Sequence, residues 1–217
     1  KHLTDLSCSQ VDAEEVAKVL KQHANSGMFY KSNVIRIAQE DATASNILQA
    51  LKKLAAAAKP DDCLVLYLSG HGKVEYETNA EGEVIYVDKK PLAKPGTYTY
   101  GTRGYDPKKP KENLMAGSLF EVLKEAKCRK LVILDTCHSE GAALIPGDSA
   151  RAFTREMKFM VIASCQAHQE ALEPAESTPD SPHGYFTQSL LDIVVSAKLA
   201  EKRRRVSPVP ITVLEPQ

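Results

Sequence analysis

Segments with helical periodicity alternate along this chain with short runs that are apolar throughout. Four segments carry apolar residues at positions i, i+3, i+4 and i+7, which predicts amphipathic helices. These segments are 12–22, 43–58, 118–126 and 186–197. Ser118 and Glu121 have the spacing of a capping box, so we expect the third helix to begin at Ser118.

Three runs are apolar without interruption, which is typical of strands covered on both faces. They are 63–68, 130–134 and 159–163, and a shorter strand is predicted at 34–37. The stretch 73–113 holds only short β-like pieces among Gly, Pro and Lys, which predicts a small antiparallel excursion and a polar loop. Because helices alternate with buried strands, we expect one α/β domain with a mostly parallel sheet and helices on both faces.

Composition narrows the class of protein. Of the 217 residues, 43% are hydrophobic and 26% are charged, which excludes a disordered tail, a collagen-like repeat and a coiled coil. Lys plus Arg and Asp plus Glu both number 28, so the chain lacks the basic excess of a nucleic-acid binder. No apolar run has the roughly 18–20 residues that cross a bilayer, and the first residues resemble neither a signal nor a transit peptide. We therefore expect no nucleic-acid partner and no membrane partner.

The cysteines number five, an odd count, and none of them forms a C-x-x-C pair. In a chain of this length, that pattern argues against a disulfide framework and favours a reducing, cytoplasmic location. We expect one of them to be reactive and the others to be small core hydrophobes. The five are Cys8, Cys63, Cys128, Cys137 and Cys165.

Two polar segments directly follow two of the predicted buried strands. SGHG, which contains His71, follows the strand 63–68, and DTCHS, which contains Cys137, follows the strand 130–134. Ligand sites of open parallel sheets gather beyond the carboxyl ends of the strands, so His71 and Cys137 are expected to face each other across a cleft. A thiol and an imidazole in this arrangement predict nucleophilic catalysis, in which the thiolate attacks a carbonyl carbon and the imidazole transfers protons.

The glycines that flank His71 let the backbone approach a substrate closely. The backbone amides of Gly72 and Cys137 are then candidate donors to the oxyanion of a tetrahedral intermediate. One such donor typically lowers the barrier by about 2.7–4 kcal/mol.

Each of these residues also has an ordinary structural explanation. A cysteine after a strand is often buried and inert, and a histidine in a turn often serves only as a hydrogen-bonding group. A zinc site is a chemical alternative, although its candidate ligands lack any standard ligand spacing. Those ligands would be His71, Cys137, His138, Cys165 and His168. The two segments together are more specific than either one alone, which favours the catalytic hypothesis.

The same two segments resemble a known family. LYLSGHG at 66–72 and LVILDTCHSEG at 131–141 are similar to the two signature segments of the caspase-like cysteine peptidases, most closely those of metacaspases and bacterial caspase-like proteins. Weaker similarity at 11–20, 161–173 and 183–191 extends the resemblance over nearly the whole chain.

The resemblance implies a fold, an activity and roles for individual residues. It implies the caspase-hemoglobinase fold, an α/β/α sandwich around a mostly parallel sheet, in a single peptidase domain over 1–217. It also implies a part like the large subunit at 1–150 and a part like the small subunit at 151–217. His71 would be the catalytic base and acid and Cys137 the nucleophile. Gly72 would be an oxyanion donor together with the Cys137 amide.

The chain departs from the family pattern in three places. The family opens with an apolar strand before the first helix, and nothing before Leu3 supplies one. We therefore expect either a fragment of a longer chain or a first strand that comes from another segment. Glu140 precedes Gly141 where the family often has C-H-S-G, and the segment 211–215 ends as if cut short.

Asp135, two positions before Cys137, bears on the choice of substrate. A carboxylate in the primary specificity pocket repels an acidic side chain and attracts Arg or Lys. Metacaspases carry Asp at this position and prefer basic residues, so the resemblance implies cleavage after Arg or Lys. Ser164 and Glu170 are further pocket candidates. The alternative is that Asp135 only holds a turn or binds a backbone amide.

A basic specificity would also allow the enzyme to cut its own chain. Arg151, Arg155 and Lys158 lie in or next to a predicted loop, so self-processing within 138–158 is a hypothesis, with an exposed charged loop as its alternative. We expect no required cofactor. The acidic residues at 75–83 could suggest calcium activation, but they lack EF-hand spacing.

The expected partners are a protein or peptide substrate with a basic residue before the cut, and regulatory domains or partner chains. The competing hypothesis is a catalytically silent caspase-like module that serves as a scaffold or sensor in a larger protein. The presence of both Cys137 and His71 argues against that hypothesis.

Overall fold

The main sheet of the molecule consists of five parallel strands. In spatial order they are β1 (Ser32–Ile37), β10 (Ile211–Pro216), β2 (Cys63–Gly70), β8 (Arg129–Thr136) and β9 (Phe159–Ala163). The computed structural model describes residues 6–24, 32–109, 113–144, 159–174, 178, 182–201 and 211–216.

Helices cover both faces of this sheet. They are α1 (Ser9–Ala24), α2 (Ala44–Ala57), α3 (Ala116–Glu125) and α4 (Tyr185–Glu201). α2 and α3 pack against each other over one face, and α1 and α4 contribute to a separate core on the other. The predicted α/β sandwich around a parallel sheet is therefore confirmed.

Strand β2 shows why the sequence carries uninterrupted apolar runs. Leu64, Leu66 and Leu68 belong to the core under α2 and α3, whereas Val65 and Tyr67 belong to the core under α1 and α4. None of the five is more than 2% exposed. Because successive side chains of a strand point to opposite faces, a strand buries every residue only when both faces are covered.

The run 159–163 was expected to be buried on both faces in the same way, and that expectation is wrong. β9 pairs with β8 and lies at the edge of the sheet, and its Met160 side chain is 61% exposed. Phe159 is buried against Phe120 of α3, with ring centroids 5.1 Å apart. An apolar run therefore identifies a strand but does not distinguish a central strand from an edge strand.

The predicted start of the third helix is also wrong. α3 begins at Ala116, two residues before Ser118, and its N-cap residue Met115 makes no side-chain capping bond. The Ala116 amide instead donates a hydrogen bond to the Tyr98 carbonyl (3.0 Å). A contact with a neighbouring strand satisfies this helix terminus, so the helix does not need the capping box.

A segment from the end of the chain occupies a central position in the sheet. β10 lies between β1 and β2 and runs parallel to both, with Val213 in register with Val34 on one side and Val65 on the other. α1 packs against all three strands. A strand from a distant segment of the chain therefore occupies this position in the sheet.

The predicted antiparallel excursion is present between β2 and α3. β3 (Gly72–Lys73), β6 (Thr99–Tyr100) and β7 (Leu114–Met115) form one small sheet, and β4 (Tyr86–Val87) pairs with β5 (Lys90–Pro91) in a hairpin. Asp88 and Lys89 connect the hairpin strands at φ values of 50° and 63°, as a two-residue hairpin turn requires.

The part of the predicted 138–158 loop that carries Arg151, Arg155 and Lys158 lies outside the described residues. Among the helices that the structure describes, none combines the length and the apolar character needed to span a membrane.

Candidate active site

The structure places His71 and Cys137 at neighbouring strand ends. β2 and β8 pair in register, with Gly70 opposite Thr136, so His71 and Cys137 each come directly after the last paired residue. Both residues therefore lie at the carboxyl edge of the parallel sheet, as the sequence predicts.

Gly72 brings the two strand ends into direct contact. A Cβ atom on Gly72 would overlap the Cys137 carbonyl oxygen and would lie 2.7 Å from the Thr136 hydroxyl oxygen. The backbone at Gly72 thus packs against the backbone of Cys137 at a distance that only glycine permits. The Thr136 hydroxyl is itself fixed by a 2.6 Å hydrogen bond with the buried Tyr98 hydroxyl.

The β3–β6 ladder determines how the Gly72 amide is oriented. The Gly101 amide donates to the His71 carbonyl (2.8 Å), and Gly72 lies opposite Tyr100. In an antiparallel ladder, hydrogen-bonded and non-hydrogen-bonded pairs alternate, so the Gly72–Tyr100 pair is of the second kind. The Gly72 amide therefore does not donate to Tyr100. A donor to an oxyanion at this position requires that its N–H is not bonded to the neighbouring strand.

A sharp turn after Cys137 directs the chain away from the sheet. His138 adopts a left-handed conformation with φ 57° and leads into a 3-10 turn, Ser139–Ala143. Its amide donates to the Gln169 carbonyl (2.8 Å), and its ring Nδ1 lies 3.0 Å from the Ala167 carbonyl oxygen. Such a conformation is unfavourable for a residue with a side chain and persists because these bonds hold it.

The Cys137 thiol is partly buried under the loop that follows β9. Burial raises the pKa of the Cys137 thiol, the nearby Glu170 and Cys165 raise it further, and a hydrogen bond from the Ala171 amide lowers it. Because the balance is a raised pKa, most of the thiol is protonated at neutral pH, and a base is needed to generate the thiolate.

Two buried carboxylates converge near the end of β8, the strand that leads to Cys137. Asp135 of β8 is 8% exposed and Asp12 of α1 is 2% exposed. A Cβ atom on Gly184 would lie 3.3 Å from one Asp12 oxygen and 3.5 Å from one Asp135 oxygen, so both carboxylates border the same point. Burial and the charge of Asp135 raise the pKa of Asp12 to about 7, and burial raises the pKa of Asp135.

Side chains from three elements hold these carboxylates. Asp135 accepts a 2.6 Å hydrogen bond from the Thr187 hydroxyl, which also bonds the buried Tyr67 hydroxyl at 2.5 Å. The His183 Nδ1 atom lies 2.8 Å from an Asp12 oxygen, and the Gly184 amide donates to the same oxygen at 3.3 Å.

The loop candidates Ser164 and Glu170 occupy different places. The Ser164 hydroxyl donates a hydrogen bond to the Thr136 carbonyl (3.2 Å) and lies near the Asp135 carboxylate, where it lowers the pKa that burial raises. Glu170 instead lies near Cys137 and Tyr76. The carboxylate of this loop that raises the pKa of both Asp12 and Asp135 is that of Glu173.

We call the side chains of Asp12, Asp135, Glu173, His183 and Thr187 the acidic cluster. Sequence reasoning missed every member except Asp135. An acidic residue in the first turn of a helix is common, because it interacts favourably with the helix dipole, so Asp12 carries no distinctive local signal. The similarity of the segments 11–20 and 183–191 to the family was the available indication that both contribute to the site.

In the part of the chain that the structure describes, no group of three or more His, Cys, Asp and Glu side chains is arranged to hold a metal ion. The zinc alternative therefore gains no support from the geometry.

In general terms, the molecule is an α/β sandwich with a thiol and an imidazole at adjacent strand ends. The comparison with family models is more specific: the caspase domain model matches residues 1–206, and the chain belongs to the caspase domain family. None of the curated proteins with which the chain was compared matches it.

Proposed function

We propose that the protein is a cysteine endopeptidase in which Cys137 is the nucleophile and His71 transfers the protons. The contact of Gly72 with Cys137 carries this proposal, because it joins the strand ends that bear the thiol and the imidazole. Membership of a family of peptidases supports the same activity.

In this mechanism, the His71 imidazole removes the proton from the Cys137 sulfur, and the sulfur attacks the scissile carbonyl carbon. The carbonyl oxygen becomes an oxyanion, to which the Gly72 and Cys137 amides donate hydrogen bonds. Collapse of this intermediate breaks the C–N bond, and the imidazolium gives its proton to the departing amine. Water, deprotonated by the same imidazole, then hydrolyses the thioester and restores the thiol.

The acidic cluster supports cleavage after Arg or Lys. Asp12 and Asp135 are both buried at a point beside the nucleophile strand, where two negative charges without a cation are unfavourable. A guanidinium or ammonium group that enters this region compensates both charges, whereas an acidic side chain adds a third. Ser164 provides a hydroxyl next to Asp135.

Specificity for basic residues, together with Asp two positions before the nucleophile, favours the metacaspase branch of the family. The same specificity makes Arg151, Arg155 and Lys158 candidate sites of self-processing. The division of the domain near residue 150 and the lack of a required cofactor stay predictions.

Labelling with an electrophilic peptide ketone that ends in Arg tests this function. We expect a single adduct on Cys137 by mass spectrometry, and a rate that falls by about 10²-fold or more in His71→Ala. Cys63→Ala is the matched control, since Cys63 is the first residue of β2 and lies at the opposite end of that strand from His71, and it should label as the parent does.

Two results would contradict the proposal. Absence of any adduct on Cys137 in folded protein would favour the scaffold or sensor alternative. Faster labelling by ketones that end in Asp or Leu than by the one that ends in Arg would remove the basic specificity and leave the peptidase activity standing.

A further inference from the structure

His183 contacts the acidic cluster without belonging to the Cys137–His71 pair. It lies two residues before the start of α4, its side chain is 10% exposed, and its ring bonds the more deeply buried Asp12 at 2.8 Å. The Gly184 amide donates to the same Asp12 oxygen, so the backbone beside His183 is fixed to the carboxylate as well. His183 therefore has one defined position, at the carboxylate that borders the proposed pocket.

Carboxylates on α1, on β8 and in the loop after β9 lie near His183 and Asp12. Burial lowers the pKa of His183, which Glu15 raises, while burial and the Asp135 charge raise the pKa of Asp12. Both shifts favour the neutral form of each partner, so that near pH 7 the pair as a whole holds one proton. The titratable groups around the pair are Glu15 on α1, Tyr67 on β2, Asp135 on β8 and Glu173 after β9.

We propose that His183 is a specificity-determining residue: with Asp12 it forms a pair that holds one proton while the pocket is empty and releases it when a basic side chain enters. The inference rests on the proposed function, because it assumes that the cluster receives Arg or Lys. While the proton is bound, the pair is neutral and attracts a cation weakly. Without the proton, the pair carries one negative charge beside that of Asp135, which suits a guanidinium.

The sign of the pH effect follows from this linkage. At lower pH the His183–Asp12 pair binds its proton, so the binding of a basic side chain becomes weaker. At higher pH the pair loses the proton, and the binding of a basic side chain becomes stronger. A pair that shares a proton binds it at least as tightly as either member alone. Replacing His183 with a residue that forms hydrogen bonds but does not titrate therefore moves the transition to lower pH.

The experiment compares two peptides that differ only in the residue before the cut, Arg or its neutral isostere citrulline. The ratio of their kcat/KM values, measured from pH 5.5 to 8.5 on the full chain, cancels the titration of Cys137 and His71, which both peptides share. For the parent protein, we expect the ratio to rise with pH through the neutral range, with the change in KM rather than in kcat. In His183→Gln, we expect the midpoint of that rise to fall by about 0.5–1 pH unit.

His168→Gln is the matched control, and its profile should coincide with that of the parent. A second variant, His183→Asn, covers the case in which His183→Gln fails to fold. A flat ratio in the parent protein, which needs no variant, overturns the proposal, and so does an unchanged midpoint in the folded His183 variants. These results leave the basic specificity intact, whereas equal cleavage of the two peptides at every pH removes the specificity itself.

Discussion

The turn at Cys137 and the acidic cluster both lie at the carboxyl edge of the sheet, but different forces hold them. At the turn, backbone packs on backbone: Gly72 lies against Cys137 with no room for a Cβ atom, and His138 is fixed in a left-handed conformation. In the acidic cluster, side chains from α1, β8 and α4 are held by hydrogen bonds and by the balance of their charges. Steric limits therefore govern the structure of the turn at Cys137, and proton binding governs the charge of the acidic cluster.

This contrast predicts the largest effect at Gly72. An added methyl group overlaps the Cys137 carbonyl oxygen and separates the strand ends, so Gly72→Ala should lower kcat/KM by about 10²-fold. Gly117 in α3 is the matched control, because nothing lies within 4 Å of the Cβ atom that Gly117→Ala would add. Kinetics on both variants, with circular dichroism to verify folding, measure the difference. A Gly72→Ala protein with parent activity would show that the close approach is dispensable.

In the acidic cluster, the contribution to the free energy of unfolding should depend on pH more than on the shape of the side chains. The pKa of Asp12 rises from 3.8 in the unfolded chain to about 7, so the folded state binds more protons between these values. The free energy of unfolding should therefore fall as the pH rises, by about 2 kcal/mol between pH 5 and 6.5 from this group alone.

Asp12→Asn removes this titration and should flatten that slope. Denaturant titrations at a series of pH values measure it for both proteins. The same slope in both would indicate that Asp12 is not the group that takes up the proton.

The smallest of these effects is expected at Thr187, whose hydroxyl bridges Asp135 and Tyr67. Thr187→Val keeps the shape but leaves both buried partners without this hydroxyl, so it should lower the free energy of unfolding by about 1 kcal/mol more than Thr187→Ser does. Urea denaturation of the two variants provides the comparison. Equal stabilities would mean that the hydroxyl bridge contributes nothing to folding.

The contact of Gly72 with Cys137 could be predicted from the sequence, and most of the acidic cluster could not. Gly72 and Cys137 each lie within four residues of the end of a predicted apolar strand, and neighbouring parallel strands end at one edge, so their meeting follows from local patterns. Asp12 and His183 meet at the site because α1 and α4 pack on the same face of the sheet, and no local pattern encodes that packing. Asp135 was found because it is close to Cys137 in the sequence.

The strand order was beyond sequence reasoning for a related reason. Periodicity identifies strands one by one, but the partners of a strand depend on contacts between distant segments. The exposed Met160 of the edge strand β9 and the position of β10 between β1 and β2 both follow from those partners.

The placement of β10 also affects the order in which the molecule can assemble. β1 reaches the rest of the sheet only through β10, so the sheet stays divided while a nascent chain lacks residues 211–216. His71 and Cys137 are synthesised well before that segment emerges from the ribosome. A chain still in translation therefore carries both side chains before β10 is available to connect β1 with β2.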